Sequence, residues 1–457
     1  MNPIGPVLAA WASKLRFEDL PASVVADCKY RLLDTLGIAI AAVPLPIGVT
    51  IRKAAHALGT GSEATALGEN GAKFSAATAA LVNGTLAHAM DFDDTHNESV
   101  MHPSAPTIAA VLAAGEAAGS SGREMIVGIA IGNELCCRLG LAAPGAFHGV
   151  GLHPTSVLGT PAAAAAAGRL FGLTPDQIAC AFGVTASQGS GVLEAYADGT
   201  WSKTFHPGWA AHAGIIAARL AQNGFTGPAT AFDGRYGLFH ALLPADTKLD
   251  FDATTRDLGK AWVTLQTAYK LYPCAHSIHA FIEGAARLKA THKFANADIA
   301  SVTLTVPDGF IGQIAEPRAA KLAPRTSTHA RASLFYAVAA TLTDGALTNA
   351  HYEGDAYKRA DILGLAQKIV HVPAKIDGAI KFDGTVEIAL TDGRKLSTYV
   401  EEADGTGTRM LTPARVVAKF RDTVKDVLPP AKIDRLVATI ETLETLPNAR
   451  ELMEMTA

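Results

Sequence analysis

The chain has 457 residues, 39 Lys and Arg against 43 Asp and Glu, and 49% hydrophobic residues. That length exceeds one ordinary core and predicts two domains. The balanced charge excludes nucleic acid or an anionic membrane surface as the main partner, yet leaves room for a local basic pocket.

The N-terminal stretch MNPIGPVLAAWASKLRFEDL lacks a basic region followed by an apolar run and a cleavage site. The longest apolar stretch, LGIAIAAVPLPIGV (36–49), carries two prolines and is too short to span a bilayer. Cys28, Cys136, Cys137, Cys180 and Cys274 are odd in number and include no C-x-x-C pair. Reduced thiols, a cytoplasmic protein and no short-spaced iron–sulfur ligand set are the expectation.

The first helix is read at 22–42, where Val25, Cys28, Leu32, Leu36 and Ile40 recur every three or four residues. Similar patterns follow at about 76–90, 105–118, 123–140, 157–171, 175–186 and 208–222, with apolar positions rich in Ala and Gly, as in buried, closely packed helices. No period-2 strand is evident before about 265. Beyond it, SVTLTVP (301–307) alternates as a strand. TVEIALTDGRKLSTYV (385–400) reads as a hairpin turning at Asp392-Gly393. Helical patterns lie at about 277–290, 329–345 and 355–369, and helix returns from about 412. The fold expected is mainly α: a large helical domain from 1–268 plus 405–457, with a smaller α+β lid domain inserted at 269–404. No internal repeat is evident.

Polar chemistry concentrates in AHAMDFDDTHNESVMHPSA (87–105). If the 76–90 helix runs on, His88, Asp91 and Thr95 share a face, whereas Asp93 and Asp94 point away and serve only to solvate or cap the loop. His-Pro pairs recur at His102-Pro103, His153-Pro154 and His206-Pro207, each read as a helix entry, with Ser104 an N-cap. His276-Ser277 is a looser version. Helix N-termini attract anions and keep a nearby His neutral and able to act as a base. Lys203 and Lys270 precede His206 and His276 in low-charge surroundings, where an ammonium needs an anionic partner. The alternative for any one of these residues is structural: a capping or packed His, a snorkelling Lys.

With LLDTLGIAIAA, GLHPTSVLGTPAAAAAAGRLFGL, DGTWSKTFHPGWAAHAGIIAARLAQNGFTGP, KLYPCAHSIHAFIEGA and HARASLFYAVAATLTDG added to the acidic segment, the chain resembles the MmgE/PrpD superfamily over nearly its whole length. That group includes 2-methylcitrate dehydratase, cis-aconitate decarboxylase and iminodisuccinate epimerase. The resemblance implies a helical domain with an inserted lid, a homodimer, and an active site without metal or organic cofactor. In the decarboxylase branch the pocket residues fall here on Asp91, Thr95, His102, His153, Lys203, Lys270 and His276. His206, from the third His-Pro pair, is added as a substrate-binding candidate. Relative to that branch, one residue is inserted between Thr95 and His102, LYPCAH is longer by one, and Phe310 or Ile311 stands where a pocket Tyr is expected.

The implied substrate is a small anionic di- or tricarboxylic acid. Proton abstraction beside a carboxylate builds charge that Lys203, Lys270 and N–H donors would stabilise, with His102 or His153 as base. A 2-methylcitrate dehydratase-like reaction ranks first, epimerisation of an iminodisuccinate-type acid second and cis-aconitate decarboxylation third. Asp91-Phe92-Asp93-Asp94 also fits the D-x-D-D acid motif of terpene cyclases, but a composition with only 7% aromatic residues disfavours a carbocation cavity. No His-Asp dipeptide supports a metal phosphohydrolase. A non-enzymatic helical binding protein is the alternative from a different class.

Overall fold

A computed structural model describes residues 3–375 and 380–456. The chain is mainly helical with small sheets. Its buried apolar side chains form two main clusters: one drawn from Ile4 to Trp262 together with Phe420 to Met453, the other from Cys274 to Leu396.

In the first cluster the expected helices are present at Ala22–Ala42, Ala76–Ala87, Ser104–Ala118, Gly122–Leu141, Gly159–Leu170 and Pro175–Thr185. Ser75 caps the Ala76–Ala87 helix by accepting from Thr78 N–H at 3.2 Å. Every residue of that helix is buried. It crosses the Ser202–Gln222 helix at a point where both are glycine. A Cβ on Gly84 would lie 2.7 Å from Gly208 Cα, and one on Gly208 would lie 2.3 Å from Leu81 O. Side chains are excluded, so the two backbones touch.

The second cluster packs helices His279–Thr291 and Leu334–Asp344 against a four-stranded sheet. Its strand order is Ile369–Ala374, Ile299–Pro307, Gly384–Leu390, Lys395–Val400. The first pair is parallel, with Val302 opposite Ile369, and the others are antiparallel, with Leu304 opposite Val386. The hairpin at Asp392-Gly393 stands as expected, Gly393 holding φ 91°. Ile369–Ala374 corrects the expected helix at 355–369, which spans only Ala360–Ala366. As an edge strand with Val370 and Val372 exposed and a Pro at 373, it has no clean alternation to read. The expected helix at 329–345 breaks into Ser327–Arg331 and Leu334–Asp344, because the Ser333 hydroxyl accepts from Tyr336 N–H at 3.1 Å and restarts it.

Two-residue strands occur in the N-terminal half, too short for any period to show. Thr95–His96 pairs with Thr267–Ala268, Thr95 opposite Ala268. Among the described residues no single helix is long and apolar enough to cross a membrane.

Candidate active site

The Ala76–Ala87 helix does not run on; His88 is its C-terminal cap residue. Asp91 takes φ 49°, in the left-handed region that Asp tolerates better than most residues. The expected shared helical face of His88, Asp91 and Thr95 is therefore replaced by a buried loop. Tertiary partners override local helix preference here. The Thr95–Ala268 pairing sets Lys270 against the loop: its ammonium donates to Asp91 O at 3.1 Å and to Asp91 Oδ1 at 2.5 Å. Lys203 approaches Asp91 Oδ2 at 3.5 Å. Burial alone would raise the Asp91 carboxyl, but Lys203 and Lys270 hold it well below the usual carboxylate range.

Asp93 and Asp94 are not solvating residues; both are buried. Asp94 accepts from Ser104 N–H at 3.2 Å and Ser104 Oγ–H at 2.5 Å, and meets Arg31 at 3.4 Å. Ser104 is thus the first residue of its helix rather than its cap, and Asp94 serves that helix end from across the loop. Burial, opposed by Arg31 and Ser104, pushes Asp94 up to about 6. From the far end of the chain, Lys419 donates to Phe92 O at 3.1 Å and pairs with buried Asp34 at 2.8 Å.

The histidines are ordered by this loop. Lys203 donates to His88 Nε2 at 2.8 Å, so His88 Nδ1 carries the proton and donates to Asp93 at 2.8 and 2.9 Å. Burial lowers His88, against the pull of Asp93. His102 Nδ1–H donates to Asp94 O at 2.7 Å, with Thr95 Oγ1 at 3.2 Å, which leaves Nε2 unprotonated. Burial and then Lys270 hold His102 well below its ordinary value. The His153 ring lies 5.8 Å from that of His102, and its Nδ1 is 3.1 Å from His206 Nδ1. Burial and Lys203 push His206 down to about 3. His276 is buried with neither ring nitrogen hydrogen-bonded to a described residue, and burial followed by Lys270 takes it to about 3.

The helix entries need one correction. His206-Pro207 lies inside the Ser202–Gln222 helix, with Lys203 in its first turn. Pro207 forgoes one backbone bond near that end, which the helix tolerates. Pro154 opens a four-residue helix ahead of Gly159–Leu170.

A small cavity of about 30 Å³ has Asp91, Thr95, His102, Lys203 and His276 in its wall, joined by Tyr196. The remaining expected residues border it through Asp91 (Lys270) and His102 (His153, then His206). Phe310 also lines it and brings no phenol, but Tyr196 supplies one from the Ala195–Asp198 turn, its oxygen accepting from Gln313 at 2.5 Å. Sequence reasoning missed Asp93, Tyr196, Gln313 and Arg331. Arg331 and Asp93 stood in segments already singled out, whereas LEAYADG carries no signal for Tyr196.

His88, His102 and His153, or His88, Asp91 and Asp93, have ligand-type atoms within 4.8 Å of one another. Both nitrogens of His88 are already committed, to Asp93 and Lys203. Two nearby ammonium groups further oppose a cation there. The same groups favour an anion, since one carboxylate, Asp91, is shared between two lysines. The arrangement offers preorganised positive charge beside an imidazole base, among largely buried side chains.

Comparison with known families matches the MmgE/PrpD N-terminal domain to residues 7–250 and the MmgE/PrpD C-terminal domain to residues 272–445. The chain is 26% identical to the cis-aconitate decarboxylase-like protein oryM of Aspergillus oryzae, over 98% of this chain and 96% of that protein. It is 26% identical to cis-aconitate decarboxylase of Aspergillus terreus, over 97% and 94%. It is 25% identical to cis-aconitate decarboxylase of Mus musculus, over 96% and 91%.

Proposed function

The chain belongs to the MmgE/PrpD family and is an enzyme of lyase type, and from that premise we propose that it removes a proton beside a carboxylate of a di- or tricarboxylic acid, dehydrating it as a 2-methylcitrate dehydratase does. The observation that carries this reading is the locked tautomer of His102. Its Nδ1–H is spent on the Asp94 carbonyl, so Nε2 faces the cavity as a base. A residue held neutral accepts a proton more readily than it gives one.

The charge that develops on the substrate carboxylate is met by Lys203 and Lys270, which Asp91 holds in place. Asp91 is ionised and therefore positions cations rather than donating a proton. Tyr196 and His276 border the same cavity; the Tyr196 O–H gives its proton to the departing hydroxyl, which leaves as water, and the proton taken up by His102 restores the phenol. Residues of the second apolar cluster, Phe310 among them, act with the neighbouring Gln313 as a lid that excludes water.

Decarboxylation of a cis-aconitate-like acid is the second reading, supported by the names of the full-length relatives. There the same cations would stabilise the carbanion left by carbon dioxide. Proton NMR in D₂O, with 2-methylcitrate, citrate, iminodisuccinate and cis-aconitate in separate tubes, separates the reactions. New vinyl or allylic signals from 2-methylcitrate or citrate support dehydration. Deuterium exchange at the α-carbon without alkene shows epimerisation, and loss of carbon dioxide from cis-aconitate establishes the second reading.

A further inference from the structure

The catalytic cavity lies against a much larger compartment of about 580 Å³. Val100, His148, Tyr196, Phe310 and Gln313 line both, so the two spaces share a wall. The catalytic cavity itself has room for only about one or two waters. The space on its other side, toward Thr328 and Arg331, is no larger, at about 20 Å³. A substrate that reaches His102 therefore needs volume beyond both, and the larger compartment supplies it. Its size falls within the roughly 300–1,000 Å³ of small-molecule sites.

The lining divides by chemistry. Its polar side chains, His148, Tyr196 and Gln313, all stand in the shared wall. Beyond them it is apolar side chain and glycine backbone, with Pro144, Ala146 and Leu193 on one side and Phe310 on the other. No Asp, Glu, Lys or Arg lines it among the described residues. His148 is neutral at ordinary pH, because burial and then Lys203 push it down to about 4. A carboxylate placed there would give up its hydration and meet no counter-charge. An alkyl group would instead remove apolar surface from water on both partners. The walls leave room for one: a Cβ on Gly149 or on Gly312 would meet nothing within 4 Å.

We propose that this compartment is an alkyl subsite, and that the substrate is a di- or tricarboxylic acid carrying an apolar chain. The carboxylated end is held at Lys203, Lys270 and His102. The chain lies between the 144–151 segment and the Asp308–Ile314 helix. His148, Tyr196 and Gln313 mark the boundary where the polar part of the acid ends. The inference rests on the polycarboxylate reading above and deepens it, from an acid with at most a methyl branch to one with a chain of several carbons.

The test is calorimetric titration of the full chain with methylsuccinate, butylsuccinate and hexylsuccinate, saturated acids that have no hydroxyl to lose. Burying one methylene is worth up to about fourfold in affinity. The compartment is partly open, so hexylsuccinate should bind at least about tenfold more tightly than methylsuccinate. Gly312→Phe and Gly149→Phe each add a ring to the lining, from opposite walls, at positions without positive φ. Each should remove most of the chain-length effect and leave methylsuccinate within about twofold. Circular dichroism identifies the folded variants, and loss of the effect in either one supports the subsite. An effect that survives in every folded variant overturns it, since the chain then lies elsewhere. Equal or weaker binding of the longer acids by the native protein also overturns it and leaves the compartment a passage to the site. If the native protein binds none of these acids, the polycarboxylate reading fails, and the subsite with it.

Discussion

At the scale of single residues, the site is governed by which protons are already committed. His102 must be neutral to act as base, and burial with Lys270 holds its free-enzyme value well below the ordinary 6.5. The acid limb of kcat/KM should therefore lie well below that ordinary value. Bound carboxylates offset the lysines and raise the imidazole, so the acid limb of kcat should sit at higher pH than that of kcat/KM. A kcat/KM limb at or above the ordinary imidazole value contradicts His102 as base. The acidic loop gives a second expectation. Asp93→Asn leaves an amide free to turn its NH₂ toward His88 and disturb the tautomer that accepts from Lys203. Asp91→Asn leaves two buried ammoniums without their shared counter-charge. Both should lower kcat/KM by about 10²-fold or more, since each uncouples groups held by charge-assisted bonds. From sequence, Asp93 and Asp94 stood outside the site, because side-chain direction in a non-helical loop leaves no periodic trace. Circular dichroism and steady-state kinetics on the two variants measure the difference.

At the scale of elements, His88 and Lys203 meet because two helices touch at Gly84 and Gly208. Gly208→Ala would place a methyl group 2.3 Å from both Leu81 O and Thr85 Oγ1, atoms of a fully buried helix. The helices must separate, at an overpacking cost of about 1–3 kcal/mol. The 2.8 Å bond from Lys203 to His88 lengthens with them. Denaturant midpoints should fall, and kcat/KM should fall further than the stability loss alone explains. Undiminished activity in a destabilised Gly208→Ala protein would show that the crossing does not set the site. The expected helices from Ala22–Ala42 to Pro175–Thr185 were legible to within a few positions, whereas Ser202–Gln222 begins six residues before the expected 208 and the expected helices at 329–345 and 355–369 are broken and shortened. What the spacing could not show was where a helix yields to tertiary bonds. The loop after Ala87 and the edge strand Ile369–Ala374 are held by distant residues, Lys270 and the Ile299–Pro307 strand, and the helix through Pro207 shows no break that spacing could have marked. Tyr196 is the sharpest case: its place in the cavity comes from a four-residue turn and a partner, Gln313, that lies 117 residues away.

At the scale of the whole molecule, the site is completed from both ends of the chain. The Pro413–Val424 helix packs on Ala22–Ala42 and sends Lys419 to the Phe92 carbonyl, between the two aspartates that organise the lysines and histidines. Lys419→Met should strand Asp34 as a buried unpaired charge and cost about 3–5 kcal/mol, read by chemical denaturation. Activity of the remaining folded fraction should drop as well, because the Phe92 peptide loses its anchor. Unchanged kcat/KM at full folding would separate the C-terminal helix from the site. That single tether also has a meaning in time. Lys419 is 327 residues beyond Phe92, so at 5–20 residues per second a ribosome needs roughly 16–65 s to reach it after making the acidic loop. Throughout that interval the nascent loop lacks the cation that anchors the Phe92 carbonyl, so the acidic loop is synthesised long before the residue that ties down its centre.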